Sequence, residues 1–184
     1  MAETPKFSTP EFVFKKVTTY PYYLTYFLSL LAAVPSVLFF YYGIYGHFQH
    51  GGLAVCFGVF ILLLILGMKA FSKTVIIYLD RSAVYISGED RKFKTYPFRH
   101  IRSIYSYNYD QRNNNKISIL IILTNGKKIY LNDASPFPLH DMERVQSAKA
   151  FLSAAKKRMG LSEQGKNRWR SIQGLGAHRY TRNK

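Results

Sequence analysis

This chain is poor in cysteine and in acid. Its single cysteine, Cys56, excludes an intrachain disulfide and any site built from several thiolates. Only 10 Asp and Glu stand against 26 Lys and Arg, for a formal charge of +16. That balance points to an anionic partner: lipid headgroups, an acidic protein surface or nucleic acid. There is no Gly-rich phosphate loop, no nucleophile elbow and no pair of carboxylates at a catalytic spacing. The expectation is a non-enzymatic protein with no cofactor and no small-molecule substrate. His47 and His50 are close enough in sequence to face one metal, but two ligands do not close a zinc site. His100, His140 and His178 have no evident partners, so no metal site is expected. Asp80, Asp110, Asp133 and Asp141 fall at turns or near a helix start, where short carboxylates satisfy backbone donors.

Two apolar runs are present, at 22–42 and 52–68, and the connection 43–51 holds no Lys, Arg, Asp or Glu. Each run approaches the ~20 residues that carry a helix across ~30 Å of hydrocarbon. The pattern predicts a transmembrane helical hairpin over 20–71. Lys6, Lys15 and Lys16 precede the first run, and Lys69 and Lys73 follow the second. The positive-inside rule then places both termini in the cytoplasm or in the mitochondrial matrix. Tyrosines at the run ends suit headgroup zones, and Pro35 predicts a kink in the first helix. Neither run carries an ionisable side chain apart from Cys56, which argues against a pump or transporter. Lys15, Lys16, Lys69 and Lys73 are candidates for holding anionic lipid, cardiolipin in a mitochondrion; charge that only sets topology is the competing explanation. The first 19 residues lack Arg and include Glu3 and Glu11, a poor mitochondrial presequence, and the segment does not read as a secretory signal.

Past the runs the pattern shortens. Segments 74–79, 83–87, 91–96, 101–109, 117–124 and 127–132 read as strands, with Asn125-Gly126 as a hairpin turn. Residues 139–159 carry Met142, Val145, Ala148, Phe151, Leu152, Ala155 and Met159 on one helical stripe, and Gly160 suits the position after the last turn. About six strands in consecutive hairpins, closed by one amphipathic helix, give the element order of a pleckstrin-homology-like domain. The expected organisation is an N-terminal segment at 1–19, the hairpin at 20–71, an antiparallel β-domain with its helix at 72–160, and a basic extended tail at 161–184. In that tail, Lys166, Arg168, Arg170, Arg179, Arg182 and Lys184 interleave with Trp169, Ile172, Leu175 and Tyr180, and glycines argue against a stable helix. Two readings stand: a solvated basic tail, or a segment that orders on a partner. The partner-binding candidates are Arg168, Trp169, Arg170 and Tyr180.

The segments KTVIIYLDRSAVYIS, KFKTYPFRHI and NGKKIYLNDASPFPLHDMERV, within 71–152, carry a resemblance. The chain resembles the two-span mitochondrial transmembrane-protein family that includes transmembrane proteins seventy, one hundred eighty-six and two hundred twenty-three. It is also similar to bacterial two-span membrane proteins with a pleckstrin-homology-like domain, through YPFRHIRSIYS. The first resemblance implies an inner-membrane accessory subunit or assembly factor of a respiratory-chain complex, acting by anchoring and bridging other subunits. The second implies a membrane-tethered module binding lipid or a protein partner in a bacterial inner membrane. Nucleic acid is the less economical partner, reached only if the basic tail contacts ribosomal RNA.

Overall fold

The computed structural model describes residues 11–20, 69–88, 93–110, 116–134 and 142–182, with scattered positions between 27 and 66. Nine strands form one antiparallel sheet: β1 (Glu11–Thr18), β2 (Lys73–Leu79), β3 (Ala83–Ser87), β4 (Phe93–Pro97), β5 (Ile101–Ser106), β6 (Ser118–Leu123), β7 (Lys128–Asp133), β8 (Leu161–Lys166) and β9 (His178–Arg182). Their order across the sheet is β4-β3-β2-β1-β7-β6-β5-β9-β8. Helices α1 (Met142–Met159) and α2 (Arg168–Ile172) pack with it, and a 3-10 turn at Phe98–His100 leads into β5.

Among the described residues no helix is long and apolar enough to cross a membrane. The predicted fold class, a transmembrane hairpin ahead of a six-stranded domain and a basic tail, is corrected to a mostly antiparallel nine-stranded sheet with few helices. The integral-membrane placement, in a mitochondrial or bacterial inner membrane, is corrected on the same finding. Phe27, Leu31, Val34, Leu38, Gly58, Ile61, Leu62, Ile65 and Leu66 are helical, but among the described residues they form no helix of spanning length. Most positions of 21–68 lie outside the described residues, including Pro35, His47, His50 and Cys56. Four lysines flank the two apolar runs. Lys15 and Lys16 lie on β1 and Lys73 opens β2, where it pairs with Val17; all three are exposed, as is Lys69.

β1 was the hidden element, and it lies inside the sheet between β2 and β7, fourth in the order. Phe12 and Phe14 point into the core while Lys15 faces out. The register breaks between Phe14 and Val17, where Lys16 takes a positive φ of 55°. That bulge is what brings Val17 back to the buried side. β1 pairs with β2 along most of its length and with β7 at Val17 and Thr18, so it joins the two hairpin sets.

α1 covers the same face. Ala148, Phe151, Leu152, Ala155 and Met159 are buried, and the Phe151 ring meets Phe12 and Phe14 edge-on at 5.6 and 6.0 Å. Gly160 ends the helix at φ 61°, a conformation that side chains with a Cβ resist. Ile104, Ile119, Ile121 and Leu131 complete the core from β5, β6 and β7.

Candidate binding site under helix α2

The basic tail is folded. β9 inserts between β5 and β8, pairing Ile104 with Tyr180 and Tyr105 with Arg179 on one side, and Leu161 with Arg182 on the other. Between β8 and β9 the chain leaves the sheet as α2. Asn167 caps this helix: its Oδ1 accepts from the Arg170 amide at 3.0 Å. Leu175 N then donates to Arg170 O at 2.9 Å, and Asn167 N to Ala177 O at 2.8 Å, closing the excursion on itself. Gly176 presses it onto the sheet. A Cβ there would lie 2.4 Å from Ser118 O and 2.5 Å from Ser106 C, so no larger residue fits without moving backbone.

α2 covers the sheet face opposite α1. Tyr105, Leu120 and Tyr130 form one cross-strand row on β5, β6 and β7, alternating with the core residues of those strands. With Asn132, Trp169 and Arg170 they help line a cleft of about 270 Å³. Arg170 is only 9 % exposed. Its Nε donates to Gly176 O at 2.8 Å, and its guanidinium carbon lies 5.5 Å from the centre of the Tyr105 ring. Its Nη2 is buried with no hydrogen-bond partner among the described residues. Burial pulls the Arg170 pKa below its ordinary value, and Tyr130, Tyr105 and Tyr107 oppose that pull. Asn132 is 2 % exposed; its Oδ1 accepts from Ser118 Oγ at 2.9 Å, while its Nδ2 also lacks a partner. Two buried donors without acceptors in one cleft favour an acceptor brought by something else.

No family model, curated protein or solved structure matches this chain. Function is read from the geometry of its surfaces.

At the rim of the cleft, α2 turns an apolar pair outward. Trp169 and Ile172 are each 68 % exposed, three residues apart and hence on one helix face. The four tail candidates thus divide. Arg168 and Trp169 are exposed, whereas Arg170 lines the cleft from inside and Tyr180 is wholly buried on β9, with Lys156 Nζ 4.3 Å from its ring centre. Asn132, Tyr105 and Tyr130 were not singled out in the sequence. Their signal was the second face of strands whose apolar content is high on both sides, and the alternation there is weak.

The other titratable candidates are scattered. His178 Nδ1 lies 2.5 Å from Glu163 Oε1 across the β8–β9 pair, and His100 stands exposed in the turn before β5. His140 and Asp141 lie outside the described residues. Among the described residues no three His, Cys, Asp or Glu gather as a metal site. What the α2 region offers is a clamped helix, buried donors and aromatic walls, which is the chemistry of holding a partner group.

Proposed function

We propose that this chain is a non-enzymatic accessory or assembly subunit of a multisubunit complex, bridging protein subunits through the α2 surface. The carrying observation is the exposed pair Trp169 and Ile172 on a helix locked to the sheet. A large aromatic side chain presented on a rigid base loses little conformational freedom on docking, and such residues dominate interface energetics. The partner implied is a protein surface with an apolar socket rimmed by acid, since Arg168 flanks the pair and the chain carries +16. The sequence resemblance makes a respiratory-chain complex the first candidate.

The test replaces the natural chain by a Trp169→Ala/Ile172→Ala variant, followed by native separation and mass spectrometry of comigrating subunits. Both side chains are mostly solvent-exposed, so thermal unfolding stays near that of the parent. Loss of comigration with an intact fold is expected. Comigration at the parental level would sink the reading.

A further inference from the structure

Away from α2, the sheet carries a groove of a different character. Arg99, Arg102, Arg179 and Arg182 line a single open groove of about 870 Å³, and no carboxylate is among the residues that line it. Arg99 belongs to the turn before β5, Arg102 to β5, and Arg179 and Arg182 to β9. The arrangement exists because β9 pairs with β5: Tyr105 faces Arg179 across the ladder, and Ile104 faces Tyr180.

None of the four arginines forms an ion pair with a described residue. Glu163, on the neighbouring strand β8, is engaged by His178. Arg179 Nε is withdrawn from solvent and has no hydrogen-bond partner among the described residues. Four guanidinium groups around one groove repel one another and focus a positive potential into it. A ligand with several negative charges removes that repulsion and supplies the missing acceptors.

The lining narrows the ligand class. It contains no aromatic side chain, the usual stacking platform for a nucleobase. Its one apolar residue, Ile101, offers few anchors for peptide side chains. Guanidinium forks match phosphoryl oxygens in pairs, and the groove is broad enough for several such contacts. The geometry points to a site for a compact ligand bearing two or more adjacent phosphoryl groups. This site stands apart from the α2 surface and does not depend on the bridging role.

The test titrates the full chain with tripolyphosphate by calorimetry. ATP and inositol hexakisphosphate serve as arms that separate a nucleotide from an inositol source, and saturable binding of either supports the site. Orthophosphate is expected to bind far more weakly. Arg102→Gln and Arg182→Gln, both at exposed positions, should each weaken tripolyphosphate about tenfold or more. Arg168→Gln, outside the groove, should leave it unchanged. Thermal melts of each variant verify the fold. No saturable binding, equal binding by an Arg102→Gln/Arg182→Gln variant, or tighter binding of a uridine decamer or hexaglutamate would each overturn the proposal.

Discussion

Asp133 and Arg144 tie three elements together at one buried point. Arg144 Nη2 reaches Asp133 Oδ1 and, at 3.2 Å, the carbonyl of Lys16 in the β1 bulge. Asp133 Oδ2 accepts from the Ile117 amide at 2.9 Å. Both side chains are buried, so removing one leaves the other charged and stranded. Arg144→Ala is expected to cost about 3–5 kcal/mol, read from urea unfolding; a loss below ~1 kcal/mol would show that water replaces the pair. Gly176 makes a second sharp residue-scale test. Gly176→Ala forces a methyl group onto the Ser118 carbonyl and the Ser106 backbone. We expect a loss of about 3 kcal/mol, measured by thermal melting, and a variant as stable as the parent would mean that the 174–177 segment shifts freely. At this scale the sequence was partly legible. Arg168, Trp169 and Arg170 read together as one anchor, and nothing in the order of residues tells Arg170 from its neighbours, because a guanidinium is placed inside only once a sheet face exists to receive it.

Elements were legible where their own period declared them. β2, β3, β6 and β7 are apolar or alternating segments bounded by turn residues, and α1 shows its stripe directly. β8 and β9 declare almost nothing. β8 buries only Leu161, and β9 only Tyr180, so neither shows a period to find. Their pairing is a tertiary fact, set by the open edge of β5. β1 falls in the N-terminal segment 1–19, for which the sequence predicts no element, because its alternation is short and broken by a bulge. Removing 165–184 would therefore take out α2 and the strand between β5 and β8, and with it the Tyr180 ring from the core. The truncated chain is expected to lose cooperative unfolding by circular dichroism, and a sharp parental transition would contradict this. A milder element-scale change is Phe151→Ala, which leaves a cavity between α1 and β1 and should cost about 3–5 kcal/mol in the same assay.

Across the whole molecule, buried tyrosines set an alkaline limit. Desolvation, reinforced by the Glu163 and Asp110 carboxylates, pushes the Tyr180 pKa from 10.0 up to about 12. Tyr109, Tyr107 and Tyr96 are raised in the same direction, burial being the leading cause in each. A raised tyrosine pKa means that the fold prefers the neutral phenol. That contribution is complete below about pH 10 and drains away as pH climbs toward the folded-state value. The urea midpoint should hold up to pH 9 and fall between pH 10 and 12; Tyr109→Phe should flatten the fall. A midpoint that stays level to pH 12 would refute it.

The position of β1 also governs how the molecule is made. It leaves the ribosome first among the described strands, yet its ladder partners β2 and β7 start at Lys73 and Lys128, and β9 is translated later still. The middle of the sheet must wait, unpaired, while its neighbours are synthesised. Native pairings between segments so distant in the chain carry a high loop-closure cost and slow folding. During translation, Phe12, Phe14 and Val17 thus form a nascent apolar segment without a mate, the natural target of a chaperone that meets the chain early.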